Sequence, residues 1–159
     1  MGPFLAQVEQ SGLATWIRES GVLYGYPLVL FLHTLGLSTV VGLSSAIDLR
    51  LLGIAPGIPL ESLQKTFGLM WAGLALTALT GTLLFMSDAV KHASNPAFYV
   101  KLVFVVLAVV ALVNLRRRLV GGGAGGGQRG RLLAAASLGC WFIALSAGRL
   151  MAYVSEFVS

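Results

Sequence analysis

The sequence predicts an all-α polytopic membrane protein: an antiparallel four-helix transmembrane bundle preceded by a short N-terminal interfacial helix. Composition is the first ground. The 159 residues are 57% hydrophobic and only 11% charged, where a soluble domain would carry about 25% charged residues. Mean hydropathy is the second, at +0.85. The third is length: apolar stretches recur at about 22–52, 60–89, 96–117 and 131–155, and a bilayer core needs about 20 such residues. Residues 1–159 therefore form a single transmembrane domain.

The net charge of +5 does not point to nucleic acid. Five of the eleven Lys and Arg residues, Arg116, Arg117, Arg118, Arg129 and Arg131, fall in one loop. In a membrane protein such a cluster is a topology signal. Cys140 is the only cysteine, so neither an intrachain disulfide nor a Cys-based metal site can form. The N-terminus lacks an early Lys or Arg and carries Glu9, which is unlike a cleavable signal peptide.

Taken in order, Phe4 to Glu19 has amphipathic character. Phe4, Leu5, Val8, Trp16 and Ile17 suit one face and Gln7, Glu9, Gln10 and Arg18 the other, as in a helix lying in the interface. The first span is free of formal charge from Pro27 to Ile47 and ends in Asp48-Leu49-Arg50-Leu51-Leu52-Gly53. Pro56-Gly57 makes the following turn. Pro59 suits a helix start, with Glu61 opposing the positive dipole end. The second span is charge-free from Thr66 to Ser87, and Asp88, Lys91 and His92 follow as a short loop. Asn95-Pro96 predicts the next helix start, Asn95 as N-cap and Pro96 at the first helical position. Gly121 to Gly127 reads as a flexible linker, within a Gly-rich segment 119–130. It lacks the Lys-Ser/Thr ending of a phosphate-binding loop. Small residues at Ala136, Cys140, Ala144 and Gly148, and Gly73, Thr77 and Gly81 on the second span, predict close helix contacts.

Counting basic residues on each side sets the orientation. Arg50, Lys65 and the five-arginine loop lie on one side, which the positive-inside rule makes cytoplasmic. Both termini are then periplasmic, in a bacterial inner membrane. This places three unusual side chains at a similar depth. His33 lies about 9 Å from the outer end of its span, Lys101 roughly 7 Å and Arg149 about 9 Å, at 1.5 Å per residue. A Lys or Arg in hydrocarbon costs roughly 2.5–3.5 kcal/mol on insertion scales. Taken singly, Lys101 and Arg149 could snorkel to the headgroups, and His33 could bond a neighbouring Ser, Thr or carbonyl. Three together favour a shared anionic ligand or cofactor. A b-type haem meets the requirement: His33 for the iron, Lys101 and Arg149 for the propionates. His92 and Met86 are the candidates for a second axial ligand, and Gly36 would clear space for a flat macrocycle. A copper or zinc site of His33, His92 and Asp88 is a weaker alternative, since the spacing matches no familiar ligand motif.

Leu32-His33-Thr34-Leu35-Gly36, Gly42 and Asp48 to Gly53 resemble small bacterial four-helix membrane proteins long regarded as uncharacterised. Thr80-Gly81-Thr82-Leu83-Leu84-Phe85 and Asn95-Pro96-Ala97-Phe98-Tyr99-Val100-Lys101-Leu102 belong to the same pattern. More distantly, the pattern is similar to HemJ-type protoporphyrinogen oxidases and to the membrane domain of CopD copper-resistance proteins. The resemblance covers spans one to three. It implies haem b, with His33 and Lys101 as the functional pair. Asp48-Leu49-Arg50 replaces the basic-aromatic-His motif that ends the first span of HemJ-like proteins, a departure that bears on oxidase activity more than on haem binding. The expectation is an electron-transfer protein or a subunit of a membrane redox complex, partnered by other membrane subunits or a periplasmic redox carrier. The alternatives are a structural subunit without cofactor and a HemJ-like oxidase.

Overall fold

The computed structural model describes residues 2–20, 24–120 and 127–157, which are helical and joined by turns, with no strand among them. Two short helices, α1 (Gly2–Glu9) and α2 (Gly12–Glu19), precede the bundle. Its four long members are α3 (Tyr26–Leu52), α5 (Phe67–Ser87), α7 (Pro96–Val120) and α8 (Gln128–Phe157). Each is long and apolar enough to cross a membrane. The short helices α4 (Leu60–Lys65) and α6 (Ala89–Ala93) flank α5. The fold is an all-α bundle of four transmembrane helices. Most of the Gly-rich segment 121–127 lies outside the described residues.

Local chemistry sets the boundaries. At the end of α3, Gly53 takes φ +83°, and its amide bonds the Arg50 carbonyl at 3.2 Å while the Ile54 amide reaches Leu49 at 3.0 Å. That pair of bonds is a Schellman cap, which needs a residue at ease in the left-handed region. At the start of α7, the Asn95 side chain accepts the Ala97 amide at 3.0 Å, so Asn95 and Pro96 take the places expected of them. The second stretch differs from expectation. Instead of one helix over 60–89, Thr66 and Asp88 each open a new helix, their carbonyls accepting the Met70 and His92 amides at 3.0 Å. Thr and Asp favour helix starts over interiors. Lys91 and His92 consequently sit in a helical turn rather than a loop. The N-terminal helix is likewise divided at Gln10-Ser11, where the Ser11 hydroxyl accepts the Ala14 amide at 3.4 Å.

Helix α5 packs on α3, α3 on α8, and α8 on α7, with no extensive interface between α5 and α7. Toward the arginine-rich end all four meet in one apolar cluster: Ile47 and Leu51, Phe67 and Met70, Leu112, Leu115 and Leu119, and Ala134. At mid-depth Val40, Ala108 and Trp141 form a second cluster. Large apolar side chains such as Phe31, Leu79, Val106 and Phe142 face outward, where lipid would solvate them. The outward hydroxyls of Thr34, Thr39 and Thr82 each bond the carbonyl four residues back at 2.9 Å, which satisfies them without water.

The cap helices fold back over the terminal end of the bundle. Ala14 and Ile17 are buried there, with α2 against α3 and α5 and α1 against α6. Arg18 donates to the Ser87 carbonyl at 3.1 Å and pairs with Glu9 at 3.3 Å, while Glu9 accepts the Val90 amide at 3.2 Å. A cation on the last carbonyl of α5 also opposes its negative dipole end.

Candidate functional site

The buried stripe of α3 runs through Val29, Gly36, Val40, Ser44, Ile47 and Leu51, at steps of three, four or seven. His33 falls on the same stripe, between Val29 and Gly36. The buried face of α7 runs through Ala108, Leu112, Leu115 and Leu119. Extending it back by steps of three and four reaches Val105 and then Lys101. Both polar side chains therefore stand where apolar core residues would be expected. Snorkelling from a lipid-facing position does not describe Lys101.

His33 is held across the α3–α5 contact. Its Nδ1 lies 3.1 Å from the Thr77 carbonyl and 3.1 Å from the Thr80 hydroxyl. The carbonyl can only accept, and the Thr80 hydrogen is directed to the Leu76 carbonyl at 2.6 Å. Nδ1 must therefore carry a proton, and in the neutral ring Nε2 is then the nitrogen with the lone pair. Metal-binding histidines are typically fixed by this kind of bond from the second nitrogen. Gly81 lies under the ring, where an added Cβ would stand 3.0 Å from Cε1. Gly36 does not clear a space for a macrocycle: an added Cβ there would meet Thr77 Oγ1 at 2.6 Å and the Gly73 carbonyl at 2.8 Å. Gly36 and Gly73 instead let the two backbones cross closely.

Lys101 lies partly buried along Gly148, where an added Cβ would stand 3.5–3.7 Å from its Cδ, Cε and Nζ. It has no hydrogen-bond or ion-pair partner among the described residues. These two expected residues are thus both turned inward in the terminal half of the bundle, on helices α3 and α7 that share no extensive interface.

The other expected site residues are not. Arg149 is exposed, because Gly148 presents the adjoining face to Lys101 and one further residue turns the helix by about 100°. Met86 lies nine residues beyond Thr77, which places it roughly 180° around α5 from His33. His92 donates from Nδ1 to the Asp88 carbonyl at 2.8 Å and meets Phe85 and Phe98 edge-on, the two phenyl rings stacking at 5.2 Å. That cluster bridges α5 and the start of α7. Nor do His33, His92 and Asp88 assemble a metal site: no group of three His, Cys, Asp or Glu side chains is placed to hold an ion among the described residues.

A second polar group was not anticipated. Asp48 stands in the last turns of the first span, as expected, but its burial was not anticipated: it is 0% exposed. Its neighbours Ser44, Ser137 and Trp141 are also buried, and Trp141 Nε1 donates to Ser44 Oγ at 3.1 Å. Of the expected small-residue stripe of α8, Ala144 is buried, Cys140 packs against the mid-depth cluster and Gly148 lies along Lys101. Ala136 is exposed, and Ala134, Ser137 and Trp141 complete the buried face. A Ser at steps of three and four from Ala134 and Trp141 was the available signal.

Fold and site together define a four-span helical membrane bundle with an inward-facing histidine and lysine. No protein-family model, curated protein or solved structure matches the chain.

Proposed function

We propose that the protein binds haem b within the membrane and serves in electron transfer, on its own or as a subunit of a membrane redox complex. The observation that carries this is the hold on His33 Nδ1 by the Thr77 carbonyl and the Thr80 hydroxyl, 3.1 Å each. In the neutral ring it leaves Nε2 to bind, on a core-facing stripe in the same half of the bundle as a lysine with no partner among the described residues. Haem b, when bound, supplies one-electron redox chemistry. His33 would provide the axial nitrogen, held in orientation by the Thr77 carbonyl and the Thr80 hydroxyl. Lys101 would pair with a propionate, the strong charge-assisted contact that an unpaired buried ammonium lacks. Arg149 would remain at the lipid headgroups, and neither His92 nor Met86 would ligate.

The arginine-rich loop, by the positive-inside rule, would face the cytoplasm of a bacterial inner membrane. The termini and the His33–Lys101 level would then face the periplasm, and electrons would pass to a periplasmic carrier or a neighbouring subunit. Single cysteines at Ala124 and Ser94 in a Cys140→Ala background test this. In intact spheroplasts an impermeant maleimide should label the Ser94→Cys variant and spare Ala124→Cys; the reverse pattern inverts the orientation.

The cofactor itself is tested by visible spectroscopy of protein purified from haem-replete cells. A Soret band and a reducible α band are expected, with both lost in His33→Ala and the variant still inserted. A colourless wild-type preparation, or haem retained in His33→Ala, refutes the assignment.

A further inference from the structure

The polar group around Asp48 lies on the other side of the mid-depth core from His33, and its geometry is unusual for a hydrogen-bonded cluster. Ser44 Oγ stands 3.5 Å from Asp48 Oδ2 and 3.5 Å from Ser137 Oγ. A normal O–H···O bond spans about 2.5–3.0 Å, so neither contact is a good one. Asp48 Oδ1 is buried with no partner at all. A carboxyl sealed in an apolar core normally has a partner, because an isolated one costs several kcal/mol on the order of a lost charge-assisted bond. No side-chain cation supplies it. Arg50 is turned to the Ile58 carbonyl at 2.7 Å, Arg116 lies over the Phe67 ring, and the one ion pair among the described residues is Arg18 with Glu9.

The two distances from Ser44 fall in the range that separates neighbouring ligands around an ion. For metal–oxygen distances of about 2.3–2.6 Å, neighbouring ligands of an octahedron stand about 3.3–3.7 Å apart. Sodium is close to calcium in radius and shares these distances. With one carboxylate the cluster offers a single negative charge, which balances a monovalent ion and leaves a divalent one under-neutralised. Trp141 holds Ser44 from the side through its N–H, so the serine oxygen keeps a lone pair for the ion.

We infer that Asp48, Ser44 and Ser137 form an intramembrane site for a monovalent cation of sodium size, separate from the His33–Lys101 site. The Asp48 carboxylate balances the charge and both hydroxyls ligate. Nothing in it depends on the presence of haem.

The test uses the purified full chain in detergent, with sodium exchanged against potassium or choline at constant ionic strength. Equilibrium dialysis with radioactive sodium should show saturable binding approaching one ion per chain. Sodium should also change the tryptophan emission selectively, through Trp141. Ser137→Ala should weaken sodium binding roughly tenfold, and Asp48→Asn should abolish it. Absence of bound sodium in the wild-type chain overturns the inference, whatever the variants do. If emission then responds to pH and not to sodium, the group is a protonated carboxyl only. Unchanged affinity in both variants would place any bound sodium elsewhere and also overturn it.

Discussion

The two ends of this bundle are built from the same four helices on opposite plans. Toward the arginine-rich loop, all four helices contribute apolar side chains to one cluster, and Ser44, Asp48 and Ser137 are wholly enclosed nearby. Toward the termini, the same core stripes carry His33 on α3 and Lys101 on α7, and glycines stand opposite both. In lipid the hydrophobic effect does not drive helices together, so cohesion rests on close packing and interhelical hydrogen bonds. The arginine-rich end has that packing. The terminal end gives up part of it to two polar side chains, and the cap helices tie it from outside.

The largest effect should come from breaking the enclosed core that adjoins the packed end. Trp141→Ala removes a ring that is 2% exposed together with its bond to Ser44. A loss of about 3–5 kcal/mol is expected, read by reversible unfolding in mixed micelles. Trp71→Ala, at a position 37% exposed, should lose far less. Equal losses would mean that enclosure between helices adds nothing to cohesion over a lipid-facing position.

Next in size is the α3–α5 crossing. Gly36→Ala forces a Cβ to within 2.8 Å of the Gly73 carbonyl, and a cost of about 1–3 kcal/mol follows from overpacking. Gly42→Ala, with nothing within 4 Å, should be neutral or stabilising by about 0.5–1 kcal/mol. If Gly36→Ala is as well tolerated as Gly42→Ala, the close crossing that positions Thr77 for His33 is refuted.

The smallest effect on stability belongs to the site itself. Lys101→Met replaces an unpartnered core ammonium with an apolar chain of similar length. Unchanged stability, or a gain of about 0.5–2 kcal/mol, is expected, while cofactor retention falls. Arg149→Met should alter neither. Haem retention that follows Arg149 and ignores Lys101 would reverse the assignment of the two cations.

Depth along a helix was legible in the sequence; direction around it was only partly so. The four spans follow from the length of apolar runs, and Asn95-Pro96 marks its helix start without tertiary help. Arg149 has the right depth but the wrong face, because only the packing partner decides which stripe points inward; Met86 lies further along its helix as well as on another face. Lys101 could have been placed by extending the Leu119, Leu115, Leu112 and Ala108 series back through Val105. Asp48 misled for a different reason. Twenty-one uncharged residues from Pro27 to Ile47 already meet the bilayer requirement, so the Asp-Leu-Arg that ends the span gave no sign of enclosure. What buries Asp48 is α8, whose Ser137 and Trp141 lie about ninety residues away. No local pattern announces that meeting.

The strap formed by Glu9 and Arg18 has a consequence for biogenesis. Its acceptor and donor on the bundle, the Ser87 carbonyl and the Val90 amide, lie 69 and 81 residues further along the chain. The amphipathic segment, synthesised before the spans, therefore lacks these two partners until the second span has been made. Until then it must wait at the membrane surface, so the cap closes on a hairpin already in place rather than guiding its entry.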